Sequence, residues 1–576
     1  MAGSQGKGLK VHLVSLGCAK NLVDSERLLG EAARILSAGV CAVPEEADLV
    51  MLNTCAFIRA AQEEAVAAVF DLKSRMKPGA RLAVLGCLPR LADGRLELPE
   101  ADLVVPVGSY AEFPEMVGRL FGPGGDAGGG MDGAPGRGAA VSLDGAPDGV
   151  LKGVGPGGVR LVSPPPFESW ERAPEGTPRF RSYLKIAEGC DRRCSYCLIP
   201  SIRGPLAPVP LAALMDEAEA LAAAGVLELT LVAQDLTAWR DGTHDLGDLC
   251  RELSGIAGLR WIRLMYLHPD GLGGRALERL KAAPKVVPYL DVPFQHASAR
   301  MLGAMGRGRA DPMDVVREVR EIWPEAALRT TLMTGFPGET EEDFRIMLDF
   351  IDEARLDHVG FFKFSREEGT PAARLADAVP RGVAERRRRT LAAAQRKVSR
   401  AANRARVGRI LEVLVEGPSD DAPEVSCGRG TFQAPEADGL VYFDGEQPQA
   451  GSVVRARIVR AGDYDLVASL AEPEAGDRDA GKSRGSGARG TDTVRDASLA
   501  RDADTVGDTS PARDTNAARA AAVRAAAAHD ACARDTGGRT FIARAVGTRD
   551  VGPLNAGART VPGDLDGRQG RPAGGR

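Results

Sequence analysis

The 576-residue sequence lacks an apolar run long enough to cross a membrane, and its first residues, MAGSQGKGLK, lack the apolar core of a secretion signal. It also lacks a strong net charge: the formal value is -5, whereas general nucleic-acid binders usually carry a basic surplus. We therefore expect a cytoplasmic protein with no membrane association and no direct contact with nucleic acid. In that reducing compartment, grouped cysteines indicate metal ligands or catalytic groups more often than disulfides.

Changes in composition divide the chain into five segments. Residues 9–120 alternate short apolar runs with amphipathic stretches, which predicts a doubly wound parallel α/β domain. Residues 176–405 alternate in the same way and predict a partial (β/α) barrel. Residues 408–471 contain short strands and turns and predict a small β-barrel. The Gly/Pro-rich residues 121–175 are typical of a linker, and residues 472–576, nearly without aromatics, of a disordered tail with no assigned role.

The strongest local signal is EGCDRRCSYCLIP, in which Cys190, Cys194 and Cys197 have C-x3-C-x2-C spacing. Three thiolates on one loop can face a single centre. Zinc normally takes a fourth ligand, and the next candidates, His244 and Cys250, lie far along the chain. A cubane cluster accepts three protein thiolates and leaves one iron open to an outside ligand. The spacing therefore predicts a 4Fe-4S cluster on this loop.

This cysteine loop, with Tyr196 in C-x3-C-x-aromatic-C after the first barrel strand, resembles that of the radical S-adenosylmethionine (SAM) superfamily. The resemblance implies that the open iron binds the methionine part of SAM and that electron transfer yields a deoxyadenosyl radical. Residues after other predicted strands fit the same barrel mouth, although a plain turn or a hydrogen-bonded histidine explains each one alone. These are Gln234, Asp235, His268, Gln295, His296 and the turn 335–344. Among them and the loop, we expect Tyr196, Gln234, Gly335 and Glu339 to contact SAM.

Three further cysteines follow three predicted strands of the first domain: Cys18 after VHLVSLG, Cys55 after DLVMLNT and Cys87 after RLAVLG. Because the carboxyl ends of parallel strands meet at one sheet edge, we expect these thiols to converge. A single cysteine is more often a buried structural thiol, but three at matching strand ends favour a second cluster. The remaining cysteines lack such placement and are interpreted as structural: Cys41, Cys250, Cys427 and Cys532.

Two cysteine triads on this domain series resemble the methylthiotransferase family, in which an auxiliary-cluster domain precedes a radical SAM barrel and a C-terminal TRAM-type β-barrel. The resemblance covers residues 9–471 without the linker, and all six cysteines match. It implies two 4Fe-4S clusters, of which the auxiliary one supplies or holds sulfur. One SAM would provide a methyl group, and a second would yield the radical that removes hydrogen from an unactivated carbon. It also implies an electron donor such as flavodoxin or ferredoxin.

The family divides into tRNA adenosine methylthiotransferases of the MiaB type and enzymes that modify an aspartate β-carbon of the twelfth small-subunit ribosomal protein. Two segments resemble the ribosomal-protein branch: GCAKNLVDSE, where the tRNA enzymes more often have GCQMN, and GRGTFQAPEADGLVYF. Residues 408–471 contain five arginines against eleven acidic residues, a net -6, which predicts repulsion from RNA and attraction to a basic ribosomal protein, alone or within the ribosome. A tRNA enzyme and a non-enzymatic metal-binding protein stay open as alternatives.

Overall fold

The computed structural model describes residues 8–91, 98–122, 180–420 and 422–471. Nearly all of the predicted linker, the whole predicted tail and Cys532 lie outside the described residues. None of the helices in the described part combines the length and the apolar character needed to cross a bilayer.

The first domain is a five-stranded parallel sheet flanked by helices. Its elements are β1 (Lys10–Ser15), α1 (Ala19–Leu36), β2 (Gly39–Val40), β3 (Leu49–Thr54), α2 (Arg59–Arg75), β4 (Arg81–Gly86), α3 (Cys87–Leu91), β5 (Leu103–Pro106) and α4 (Phe113–Phe121). The strand order β2-β1-β3-β4-β5 reverses direction at β1, which confirms the predicted doubly wound fold.

Alternation of side chains along the strands builds two cores in this domain. Val50 and Leu52 of β3 pack on the face covered by α2, whereas Leu49 and Met51 pack on the face covered by α1 and α4. Successive strand residues point to opposite faces, so a nearly continuous apolar strand can serve both layers.

The second domain is a six-stranded parallel sheet. Its elements are β6 (Arg181–Lys185), β7 (Ala187–Glu188), α5 (Ile199–Arg203), β8 (Ala207–Pro208), α6 (Leu211–Ala223), β9 (Glu228–Val232), β10 (Arg240–Asp241), β11 (His244–Asp245), α7 (Leu246–Ser254), β12 (Trp261–Leu264), α8 (Gly274–Ala282), β13 (Val286–Asp291), α9 (Ala299–Ala304), α10 (Pro312–Ile322), β14 (Ala327–Thr334), α11 (Glu341–Ala354), β15 (His358–Lys363) and α12 (Arg381–Arg404). The order β6-β9-β12-β13-β14-β15 follows the chain and leaves β6 and β15 as edges, which confirms a partial barrel.

The two faces of this sheet bury different partners. Leu229, Leu231 and Ile262 belong to the outer core beneath the barrel's own helices. Trp261 and Tyr289, on the inner face, pack in a second core with residues of α1 and of the C-terminal β-barrel. The inner face of the partial barrel is therefore partly covered by the two neighbouring domains.

The C-terminal domain is a closed five-stranded barrel, as predicted, with strand order β16-β17-β18-β20-β19. Its strands are β16 (Ile410–Pro418), β17 (Ser426–Gly430), β18 (Val441–Phe443), β19 (Val453–Ala461) and β20 (Leu466–Leu470). The segment 428–443 enters the lumen of the partial barrel: Thr431 O accepts a hydrogen bond from Arg263 (2.7 Å), and Phe432 O contacts the His358 ring (2.8 Å).

Part of the acidic surplus of residues 408–471 is neutralised by ion pairs at this interface. Five of the eleven acidic side chains form ion pairs with arginines of the second domain. The pairs are Glu412–Arg260, Glu416–Arg181, Glu436–Arg181, Asp438–Arg329 and Asp463–Arg400. The net charge of -6 thus overstates the acidity that this domain presents to a partner, because sequence counts ignore pairing across domains.

Candidate active site

The three cysteines of the first domain lie where the strand pattern predicts them. Cys18 caps the start of α1 after β1, Cys55 directly follows β3, and Cys87 opens α3 directly after β4. These three strands are neighbours in the sheet. Gly17 and Gly86, each preceding a cysteine, have φ values of +94° and +101°, which side chains rarely adopt. A Cβ at Gly17 would approach Cys55 Cβ to 2.7 Å, so glycine permits this close approach.

Asn21 ties the three strand ends together. Its amide nitrogen donates to the carbonyl oxygens of Leu16 and Thr54, both at 2.9 Å, and so joins the ends of β1 and β3. Its amide oxygen accepts hydrogen bonds from the Cys87 thiol (3.8 Å) and from Arg203 of the second domain. The sequence placed Asn21 in a recognisable motif but did not indicate this positioning role, because its partners come from three other segments.

The three thiols act on one another electrostatically, which is the evidence that they form one group. Burial raises the pKa of Cys55 to about 12, with further contributions from Cys18 and Cys87. Burial would also raise the pKa of Cys18, but the charges of Lys20 and Arg203, together with backbone N–H donors, outweigh it and lower that pKa. The cationic surroundings favour thiolate at Cys18, the form that binds metals.

The second triad lies on the loop between β7 and α5. Backbone N–H groups of Arg192 and Ile199 donate to the sulfurs of Cys190 and Cys197, both at 3.4 Å. The Cys194 sulfur accepts from the Arg307 guanidinium, also at 3.4 Å. Burial, assisted by the neighbouring thiols, raises the pKa of Cys197 to about 12. N–H donors to sulfur are a means by which proteins tune iron–sulfur clusters, so this donor set fits one.

In the described ranges, no three His, Cys, Asp or Glu side chains are arranged to hold one metal ion. A cubane cluster places each thiolate on a different iron, so its ligands stand farther apart than those of a lone ion. The other described cysteines, Cys41, Cys250 and Cys427, are buried free thiols, as expected for structural residues.

The predicted SAM contacts surround the second triad unevenly. Tyr196 lies on the cysteine loop and packs beside a core that includes Met301 and Phe336. Gln234 follows β9 and donates to Glu188 Oε1 (3.0 Å), whereas its own buried amide oxygen has no hydrogen-bond partner among the described residues. That orphan acceptor fits a polar ligand with N–H or O–H groups, as SAM has.

Gly335 and Glu339 form a self-contained turn after β14. The Gly335 N–H donates to the Glu339 carboxylate, which also pairs with Arg387 of α12 at 3.0 Å. Gly335 has φ of +80°, and a Cβ there would come within 2.5 Å of Ala384 Cβ. The local contacts of both residues are thus those of a strand-to-helix connection, and their contact with SAM stays a prediction.

Two histidines at the strand ends are held neutral. Burial lowers the pKa of His268 and of His296 to about 4 in each case. His296 Nδ1 accepts from the backbone N–H groups of Ala297 (3.0 Å) and Ser298 (2.9 Å), so the proton resides on Nε2. That buried Nε2 has no partner in the described part of the chain, which makes it a second orphan atom suited to a ligand.

A buried ionic network joins the first two domains, and we call it the mouth network: Asp24, Lys185, Glu188 and Arg203. Lys185 contacts Asp24 and, at 2.8 Å, Glu188. Arg203 pairs with Glu188 (2.8 Å) and Asp24 (3.2 Å) and reaches the Cys87 sulfur at 3.5 Å. The charges of Lys185 and Arg203 bring the pKa of Glu188 below its usual range, although burial alone would raise it. Sequence reasoning missed all four, although Lys185 within an apolar strand was a visible signal.

A second network, which we call the floor network, joins the partial barrel to the C-terminal domain: Glu228, Arg263, Glu416 and Arg429. Glu228 pairs with Arg263 (2.7 Å) and Arg429 (2.6 Å), and Arg429 also pairs with Glu416 (2.6 Å). Burial would raise the pKa of Glu228, but the two guanidinium groups lower it to about 2. A cavity partly open to solvent is bordered by Cys18, Tyr266 and Glu436, one from each domain.

A parallel partial barrel carrying a C-x3-C-x2-C loop at its mouth defines a radical SAM protein, and the family comparison agrees. Residues 184–351 match the Radical SAM superfamily, residues 10–106 match "Uncharacterized protein family UPF0004", and residues 407–470 match the TRAM domain. Among solved structures, the radical SAM methyltransferase TsrM from Kitasatospora setae is similar, with a TM-score of 0.42 and 15% identity, covering 64% of this chain and 74% of that one.

Curated relatives specify the family further. The "Ribosomal protein uS12 methylthiotransferase RimO" of Geobacter sulfurreducens is 40% identical over 473 residues, which cover 80% of this chain and 98% of the relative. The protein of the same name from Desulfotalea psychrophila is also 40% identical, over 81% of this chain and its own full length. The chain belongs to the RimO family of methylthiotransferases.

Proposed function

We propose that this protein inserts a methylthio group at the β-carbon of an aspartate in ribosomal protein uS12, using two 4Fe-4S clusters and SAM. The observation that carries the proposal is the placement of the two triads. Cys18 borders the lumen of the barrel whose mouth carries the second triad, and Arg203, which follows that second triad, contacts Cys87. A single substrate in the lumen can therefore meet both sets of thiols.

Each triad has a separate role in this proposal. Cys190, Cys194 and Cys197 would hold the cluster that binds SAM, and Cys18, Cys55 and Cys87 would hold the auxiliary cluster. When bound, these groups supply reductive SAM cleavage and a source of sulfur, respectively. The chain itself orients them through Asn21, Arg203 and Arg307, which contact the thiols directly or through the strand ends.

Other residues would hold SAM and exclude water. We assign Tyr196, Gln234, Gly335 and Glu339 to SAM, with support from the orphan amide oxygen of Gln234 and the partly buried position of Tyr196 on the cysteine loop. The floor network closes the far end of the lumen with fully buried charges, which keeps bulk water from the reacting centre. Reduction requires an external electron donor of the flavodoxin or ferredoxin class.

The decisive experiment is the intact mass of uS12 from cells with and without the gene. We expect a gain of one methylthio group only when the gene is present. Methylthiolated tRNA together with unmodified uS12 would contradict the proposal in favour of the tRNA activity. In anaerobic reconstitution, iron for two clusters and production of deoxyadenosine would exclude a non-enzymatic metal-binding protein, whereas zinc without iron would contradict the radical chemistry.

A further inference from the structure

Two buried lysines, Lys185 and Lys20, differ in whether a carboxylate pairs with the ammonium group. Lys185, in β6, contacts the carboxylates of Asp24 and Glu188. Lys20, in the first turn of α1, is 7% exposed, yet it forms no ion pair with any residue that the structure describes. Removal of an ammonium group from water is costly unless an opposite charge compensates for it. Among the described residues no carboxylate pairs with Lys20, and its charge acts instead on the Cys18 thiol, whose pKa it lowers.

The contacts that Lys20 does make are weak and directional. Its Nζ lies 3.6 Å from the centroid of the Tyr266 ring and 3.5 Å from the carbonyl oxygen of Ala233. A cation over an aromatic face is only modestly stabilised, and this offsets only part of the cost of burial. Tyr266 and Ala233 directly follow the ends of β12 and β9, so the ammonium lies at the carboxyl edge of the barrel strands, where barrel enzymes bind their substrates.

Tyr266, whose ring lies against the Lys20 ammonium, has an unusual backbone conformation. Its φ is +65°, in the left-handed region that bulky residues rarely adopt. The conformation is held because its N–H donates to Asp291 Oδ2 (3.0 Å) and its carbonyl accepts from Leu236 N–H (3.1 Å). Such strain is concentrated at ligand-binding sites. The strain places the Tyr266 ring on the wall of the cavity that also contains Cys18.

The acid in this cavity is already neutralised. Glu436, on the C-terminal side, pairs with Arg181 (3.1 Å) and accepts from the Tyr183 hydroxyl (3.2 Å). It is therefore not the missing partner of Lys20. Tyr266, whose ring the Lys20 ammonium contacts, borders this cavity together with Cys18, and no described carboxylate pairs with that ammonium.

We propose that Lys20 binds the carboxylate of the acidic side chain that enters the lumen for modification, and so selects an aspartate on the protein substrate. The inference rests on the proposed function, because that function defines the substrate as an aspartyl residue. An ammonium beside Cys18 would hold the side chain by its terminal carboxylate and leave the adjacent β-carbon facing the space between the two triads. Lys20 is thus a specificity-determining residue.

The test is a double-mutant cycle between enzyme and substrate. Holoenzyme with native sequence or with Lys20→Met is titrated with uS12 that carries either aspartate or asparagine at the modified position. For the native enzyme we expect the asparagine form to bind about tenfold or more weakly, since close charge pairs couple strongly. For Lys20→Met we expect the two forms to bind equally. Lys73→Met changes a partly exposed lysine of α2 that pairs with Asp102; it serves as control and should retain the native discrimination.

Folding is checked independently of the cycle. Deoxyadenosine production should be unchanged in Lys20→Met, because the triad of Cys190, Cys194 and Cys197 is untouched, and iron content shows whether the first-domain triad still holds its cluster. Lys20→Arg should restore part of the discrimination. If Lys20→Met fails to fold, the native enzyme alone still tests the inference. Equal affinity of that enzyme for the aspartate and asparagine forms would overturn it, as would undiminished discrimination by Lys20→Met.

The two levels of inference fail in different ways. If the native enzyme adds no methylthio group to uS12, the proposed function is wrong, and the assignment of Lys20 with it. If the native enzyme modifies uS12 but Lys20 and the substrate aspartate contribute independently to binding, only the assignment of Lys20 is wrong. In that case the ammonium serves the Cys18 thiolate rather than the substrate.

Discussion

The mouth and floor networks are both buried, both join two domains, and both consist of carboxylates and cations, yet they serve different ends. In the floor network every charged side chain pairs with an opposite charge inside the protein. In the mouth network Arg203 extends further, to Asn21 and to the Cys87 sulfur, and the nearby Lys20 has no carboxylate partner among the described residues. Charges that pair only with one another are typical of a structural seal, whereas cations that also act on thiols indicate a site for ligands.

The strongest loss of activity is expected from a mutation in the first-domain cysteine triad. Cys18→Ala should abolish methylthiolation of uS12 but leave SAM cleavage intact, because the second triad, Cys190, Cys194 and Cys197, keeps all three thiols. Product mass and deoxyadenosine measure the two activities. Cys41→Ala, which removes a buried thiol outside both triads, should retain both of them. Methylthiolation by the Cys18 variant would mean that the first domain does not hold the auxiliary cluster.

Mutations in the floor network should lower the free energy of unfolding. Arg429→Met leaves Glu228 and Glu416 without their shared partner, and breaking a buried pair typically costs about 3–5 kcal/mol of unfolding free energy. Arg260→Met breaks the ion pair with Glu412 at the same interface, but both side chains there are about half exposed. We expect that change to cost less than about 1 kcal/mol. Denaturant unfolding of both variants measures the contrast, and equal losses would contradict a sealing role.

Acid should weaken the floor through Glu228. Its pKa in the folded protein is about 2, below the ordinary value of 4.5, so the unfolded chain binds a proton first as the pH falls. The stabilisation is complete above about pH 4.5 and is lost as the pH decreases toward 2. The melting temperature of the native protein should therefore fall more steeply over this range than that of Glu228→Gln. Parallel slopes would show that Glu228 does not carry this dependence.

A smaller effect is expected at Arg203, where geometry matters more than charge. Arg203→Lys keeps the positive charge but cannot reach Glu188, Asn21 and the Cys87 sulfur together. Residues that orient metal ligands typically contribute tenfold or more, so we expect about tenfold slower methylthiolation. Deoxyadenosine production should fall less, since Arg203 contacts the first-domain triad. Equal losses of the two activities would mean that Arg203 acts on the second triad instead.

Much of the site could be inferred from local patterns. The loop triad is visible in one stretch of sequence, and the strand-by-strand placement of Cys18, Cys55 and Cys87 follows from parallel topology, since successive strands end at a common edge. The structure agrees because each cysteine sits within a few residues of its strand end. By contrast, Asn21 and Arg203 could not be assigned, because their partners come from distant segments.

Local sequence patterns are enough to predict the three folds and the two sets of thiols, because hydrophobic periodicity and strand order act locally. The contacts on the inner face of the partial barrel, and the charges that remain available there, depend on tertiary packing. The C-terminal acids illustrate the difference: counted along the chain they predict a basic partner, but five of them pair with arginines of the barrel. Whether a charge is neutralised depends on its neighbours in space, and among the described residues Lys20 contacts a carbonyl oxygen and an aromatic ring but no carboxylate.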